Sequence, residues 1–261
     1  MIAVGAIAGW APAAEAGWLA PESLSSPADQ GDFPQIALNG AGDAAAVWDY
    51  GTTYSPDTGP KRVQGAAGPA GGPFSAPADL SANSPFGRFP EVAIDQAGTA
   101  VAVWQSFNAF GSPAAQASIR PPGGAFSAPI DLSTGLGAFG PQVAIDGAGT
   151  AIVVWRKDNG SSASTVQMAT RPAGGTFSSP VNVSPAMVGI AQVQLAVDLA
   201  GNVVIGWAHQ ISDSSSTVQA IMRPAGGSFS APADIGAVAG YVVGLHLAAG
   251  EDGSAIAAWG A

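Results

Sequence analysis

Three aspartates recur at one place in a repeating segment. Asp95, Asp146 and Asp198 each open a D-x-x-G string, while Asn39 and Gly250 hold the equivalent place in two further copies. Carboxylates at fixed spacing raise two chemistries, metal ligation and acid–base work. Calcium needs several oxygens converging within one loop, and no D-x-D-x-D-G string occurs. An Asp opening D-x-x-G more simply accepts hydrogen bonds from the amides of its own turn, which is the expected role here. The chain has two histidines, His209 and His246, and no cysteine, which excludes disulfides, thiolate sites and a Cys nucleophile. H-E-x-x-H and G-x-S-x-G are both absent. No metal, no cofactor and no catalytic residue is expected. His246 falls in a β-prone run and is expected to be buried.

A second set of residues varies instead of repeating. Four segments that follow a recurring Trp read Asp49-Tyr50, Gln105-Ser106-Phe107, Arg156-Lys157-Asp158 and His209-Gln210. Between repeats stand Phe33, Phe86, Arg88, Phe89, Phe139 and Tyr241. Read as loops on one face of a regular scaffold, these are where binding is carried. The candidate ligand-binding residues are Asp49, Tyr50, Phe86, Arg88, Gln105, Phe107, Arg156, Asp158, His209 and Gln210. Asp49, Asp158 and Glu91 also offer carboxylates for a glycoside-cleaving pair. Arg120, Arg171 and Arg223 precede Pro in another repeated string and are expected to cover apolar surface or pair with acids.

The elements that must position these residues come from two alternating units. One is P-x-V-A-I-D-x-A-G-T-A-x-x-V-W, ending at Trp48, Trp104, Trp155, Trp207 and Trp259, spaced 56, 51, 52 and 52 residues apart. The other is V-Q-x-x-x-R-P-A-G-G-x-F-S-x-P, with aromatics at Trp18, Phe74, Phe126, Phe177 and Phe229. Each reads as two short β-prone runs about a glycine turn, a β-hairpin. Two hairpins per repeat of about 52 residues, without helical periodicity, predict an all-β, five-bladed β-propeller of four-stranded antiparallel blades. The tryptophans are expected between neighbouring blades. An outer hairpin over residues 7–25 would pair with the last inner hairpin, 244–259, to complete the fifth blade.

Composition narrows the partners. The net charge is −10 and charged residues make only 10% of the chain, against about 25% in an ordinary soluble domain. Such a chain is a poor ligand for nucleic acid. Residues 1–16 carry a short apolar run and the A-x-A string Ala14-Glu15-Ala16, the remnant of a secretory signal. The run is too short to span a bilayer, which takes about 20 apolar residues. Residues 17–261 then form a single propeller, with a C-terminus that reads as truncated after Trp259.

The pattern W/F-S-x-P-x-x-L-S followed by P-x-V-A-x-D-x-x-G-x-A-x-x-V-W resembles tandem β-propeller repeats of secreted bacterial proteins, and more distantly sialidase and lectin propellers. The sialidase Asp-box S-x-D-x-G-x-x-W is incomplete: 55–62 reads SPDTGPKR, with Arg62 in place of Trp. The expected function is an extracellular, non-enzymatic binding module, lectin-like or adhesion-type, acting as a monomer on carbohydrate or another cell-surface component. Two alternatives stay open: a glycoside hydrolase with carboxylates at the axial cleft, and a structural repeat segment of a larger surface protein.

Overall fold

The computed structural model describes residues 3–4, 20–26, 30–51, 61–82, 86–107, 111–135 and 137–261. The chain is an all-β propeller of five blades. Near the N-terminus β1 (Ala3–Val4) pairs with β2 (Glu22–Ser23). Blade 1 runs β3 (Gln30–Leu38), β4 (Ala44–Gly51), β5 (Lys61–Gly68) and β6 (Ala78–Asp79). Blade 2 runs β7 (Phe86–Ile94), β8 (Ala100–Phe107), β9 (Pro113–Arg120) and β10 (Ile130–Asp131). In blade 3, β11 (Ala138–Ile145), β12 (Ala151–Asp158), β13 (Ala163–Arg171) and β14 (Val181–Asn182) are joined by β15 (Met187–Val188), which pairs with the start of β13. Blade 4 runs β16 (Ile190–Val197), β17 (Val203–Ser212), β18 (Ser215–Arg223) and β19 (Ala233–Ala239). Blade 5 presents its inner hairpin, β20 (Val243–Ala249) and β21 (Ala255–Gly260). Every pairing is antiparallel, and the innermost strands β3, β7, β11, β16 and β20 touch in succession.

The core lies between blades. Trp48, Trp104, Trp155 and Trp207 are each fully buried. Trp155 packs with Val101, Val103, Ala117 and Leu132 of the preceding blade, and Trp207 does the same with Val154, Val166 and Met168. Leu24, just after β2, packs on Trp48 as Leu80 packs on Trp104. The Gln of the V-Q string ties each blade crosswise. Gln116, Gln167 and Gln219 donate to Asp131, Asn182 and Asp234 at 2.7, 2.9 and 2.8 Å, and Gln219 also accepts from Trp207 Nε1 at 3.1 Å. Arg223 lies over the Phe229 ring, 5.3 Å from its centroid.

Two expectations are corrected. The post-Trp segments and the stretches before each inner strand are paired strand, not loop: Asp32 faces Asp49, Arg88 faces Gln105 and Phe139 faces Arg156. A bulge in each inner strand lets pairing continue past the repeated proline, which cannot donate to a ladder. His246 is exposed in β20, in a hairpin whose Val243 and Ile256 are also exposed, so it is no core histidine. Of the fifth blade's expected outer hairpin, residues 7–19 lie outside the described residues, and within the described part β2 pairs with β1 and not with the last hairpin, so β20 and β21 form a two-stranded sheet.

Candidate functional site at the axial mouth

One residue of every inner strand adopts a left-handed backbone. Phe33 has φ 50°, Phe89 52°, Gly140 55°, Gln192 49° and Gly244 60°. Each precedes Pro34, Pro90, Pro141, Val193 or Leu245, and at each the strand register shifts. A non-glycine residue here costs about 1–3 kcal/mol and persists only where its surroundings fix it. Because the inner strands follow one another from β3 to β20, the five bulges stand in a row at one mouth of the propeller. Phe33 and Phe89 meet there edge to face, ring centroids 4.9 Å apart, and are 51% and 40% exposed.

Gly140, like Gly244, leaves a gap in that row. A Cβ built on it would meet nothing within 4 Å. The gap opens into a cleft of about 210 Å³ between blades 3 and 4, walled by Phe139, Gln142, Arg156, Gln192 and Gln194. Arg156 lies over the Phe139 ring at 4.3 Å from its centroid, and its Nε is 3.1 Å from Asp158 Oδ1. Asp158 also accepts from Ser164 Oγ at 2.7 Å. Gln192 accepts from Leu245 N–H at 2.9 Å and donates to the Val242 carbonyl, stitching blade 4 to β20. Gln142 Nε2 donates to Glu91 Oε1 at 3.3 Å. Burial pushes the Glu91 carboxyl above the ordinary glutamate range, and the Gln142 hydrogen bond offsets part of that rise.

After Trp48, Trp104 and Trp155 the next residue reaches the inner strand of the following blade, at or beside its bulge. Gln105 Oε1 accepts from the Gly140 N–H at 3.1 Å, and Arg156 Nη1 donates to the Ile190 carbonyl at 3.4 Å. Asp49 is fully buried, with Oδ1 3.3 Å from Lys61 Nζ, which also pairs with Asp32. Burial raises the Asp49 carboxyl above the usual aspartate range; Lys61 works against that rise, as does a hydrogen bond from the Phe89 backbone. In Ala208 the fourth copy has no side chain that can reach, and Gln192 makes the equivalent link from its own bulge.

The ten sequence-derived candidates therefore lie at one edge but not in one place. Gln105, Arg156 and Asp158 gather at the Gly140 cleft. Arg88 and Phe86 pair across blade 2 with Gln105 and Phe107. Asp49 is locked in blade 1, and Tyr50 donates to Asp79 Oδ1 at 2.8 Å on that blade's outer side. Half-buried His209 faces Ile190 and Thr217 in strand register, and Gln210 donates its backbone N–H to the Gly189 carbonyl at 3.0 Å. Sequence reasoning passed over Gln142, Gln192, Gln194 and the backbone of Phe33 and Phe89. Their common signal is position: each lies within one residue of a repeated bulge or the residue that follows it.

At the opposite edge the repeated acids close turns. Asp95 Oδ1 accepts from Thr99 N–H at 2.7 Å, Asp146 Oδ1 from Ala148 and Thr150 at 3.0 and 2.8 Å, and Asn39 Oδ1 from Ala41 and Asp43 at 3.0 and 2.9 Å. The Asn202 side chain holds the Asp198 carboxyl below its ordinary value. Among the described residues no group of three or more His, Asp or Glu is gathered as metal ligands.

No protein-family model and no curated protein sequence matches the chain. Solved structures share the fold. A protein of unknown function from Dyadobacter fermentans aligns with TM-score 0.61 and 13% identity over 90% of this chain and 76% of its own. A family 117 glycoside hydrolase from the marine bacterium Zobellia galactanivorans aligns with TM-score 0.56 and 13% identity over 87% and 74%. A Hadza microbial sialidase aligns with TM-score 0.54 and 14% identity over 89% of this chain, which spans 52% of that enzyme.

Proposed function

We propose that the protein is an extracellular, non-enzymatic carbohydrate-binding propeller whose ligand occupies the Gly140 cleft at the axial mouth. The observation that carries this reading is the cleft itself: open space over a glycine, walled by Phe139, the Arg156 guanidinium and amide side chains, at the row of left-handed bulges in the inner strands. Amide side chains both donate and accept, which matches a hydroxyl group. Pockets built this way, mainly apolar with a few placed polar groups, are ordinary ligand sites. Structures with this fold include enzymes named for acting on glycosides, which is compatible with sugar recognition. The acids nearest the cleft are already committed, Asp158 to Arg156 and Ser164, and Glu91 to Gln142.

One observation favours a second reading. A glutamate whose carboxyl is raised by burial has the character of a general acid, so Glu91 is the residue on which glycoside hydrolysis would rest. That chemistry also needs a second carboxylate about 5–10 Å away. The test is a glycan array probed with the folded protein, followed by product analysis of every retained glycan. Retention of intact glycan is expected. Released product that disappears in Glu91→Gln favours the hydrolase, and no retention at all overturns both readings.

A further inference from the structure

We infer that the Gly140 cleft takes a neutral sugar unit and turns away carboxylated ones. This rests on the carbohydrate reading above and narrows its ligand class. A carboxylate drawn into a cleft must find a cation or a set of donors to replace its water; otherwise its burial is strongly unfavourable. The cation at the cleft, Arg156, already has its charge paired with Asp158. Its Nη2 donates to Asp158 Oδ2 and its Nη1 to the Ile190 carbonyl, each at 3.4 Å, Asp158 Oδ1 lies 3.1 Å from Nε as an ion pair, and the guanidinium plane covers Phe139. Lys61 is buried between Asp49 and Asp32, and Arg88 and Lys157 are likewise partnered. The acids Glu91 and Asp158 flank the same cleft, in a chain of net charge −10.

What the cleft does offer is uncharged. The Gln194 side chain makes no hydrogen bond among the described residues, and Gln142 uses its Nε2 on Glu91 while its Oε1 has no such partner there. Together they present three N–H donors and two carbonyl acceptors. The exposed Phe33–Phe89 pair stands further along the same mouth, at the bulges of blades 1 and 2, an apolar surface for the C–H face of a sugar ring in a longer glycan. At about 210 Å³ the cleft is smaller than the roughly 300 Å³ at which drug-sized pockets begin, so it fits one ring of a glycan.

The experiment compares matched neutral and acidic sugars on the full chain. Gluco-, galacto- and xylo-oligosaccharides are titrated beside oligoglucuronate, oligogalacturonate and sialyllactose, by calorimetry and saturation-transfer NMR, at about 20 and about 300 mM salt. A neutral oligosaccharide is expected to bind at least about tenfold tighter than its carboxylated counterpart, with affinity changing less than about twofold with salt. In Asp158→Asn the Arg156 charge is released, and uronate affinity is expected to rise by about fivefold or more. Tighter binding of a uronate or sialyl sugar that fades with salt overturns the inference while leaving carbohydrate binding intact. An Asp158→Asn protein that still refuses uronates overturns the stated cause. Failure of the folded chain to bind any of these sugars overturns the carbohydrate reading itself.

Discussion

The two edges of the propeller are built from the same repeat yet follow opposite rules. At the turn edge the side chain and its role repeat together. Asp95 and Asp146 close their turns with the same Oδ1 bonds, and Asn39 substitutes without changing the geometry. At the mouth the backbone repeats while the side chains do not. Five bulges share one left-handed φ, yet carry Phe, Phe, Gly, Gln and Gly. The residues that hold these bulges differ as well: Asp49, Gln105, Arg156 and Gln192 use a carboxylate, two amides and a guanidinium for one mechanical purpose. Fixed backbone with free side chains is what a binding surface requires, and fixed side chains with fixed backbone is what a hinge-free scaffold requires.

The largest expected effect lies beneath both edges. Trp155→Ala should cost about 3–5 kcal/mol in urea denaturation, since this fully buried ring joins blades 2 and 3. A cost below about 1 kcal/mol would mean the blades are not held by their tryptophans. Asp49→Ala comes next, at about 2–3 kcal/mol, less than a buried pair usually loses because Asp32 still faces Lys61. If the cost is no greater than that of a turn acid, the mouth is not braced as described. Asp146→Ala removes two turn hydrogen bonds and should cost about 1 kcal/mol, with unchanged sugar binding.

The smallest effect is a pH dependence. A carboxyl raised above its unfolded value favours the fold when protonated; that contribution is complete below the ordinary value of 4.5 and is lost as pH rises through the folded value. Glu91→Gln carries no charge at any pH, so it should melt above the wild type at pH 7 and match it at pH 4. Equal melting points at both pH values would show that the mouth leaves Glu91 as hydrated as a surface residue.

Architecture was legible because it is written in periodicity: recurring Trp, glycine turns and alternation do not depend on partners far away. The turn acids were legible for the same reason, being local. The mouth was legible only in outline. Variation after each Trp pointed to the right edge, but it marked Asp49 and Gln105 as ligand contacts where the structure gives them bracing work on the next blade. Which residue reaches across a blade interface depends on register and on the bulge, and neither is encoded within four or five residues of the Trp. The cleft was hidden further, because its defining feature is a missing side chain at Gly140. His246 misled because a β-prone run reports strand and not which face of it is covered.

Two glycines allow the most direct test. Gly140 and Gly174 are both left-handed, at φ 55° and 68°, and both open onto free space, but they stand at opposite edges. Phe already occupies the bulge backbone at positions 33 and 89, so Gly140→Phe fills the cleft using a solution the repeat itself contains. Calorimetric titration of the best array ligand into both variants decides the matter. Loss of binding in Gly140→Phe, with Gly174→Phe binding as the wild type does, is the expected result. Undiminished binding in a folded Gly140→Phe protein would contradict it.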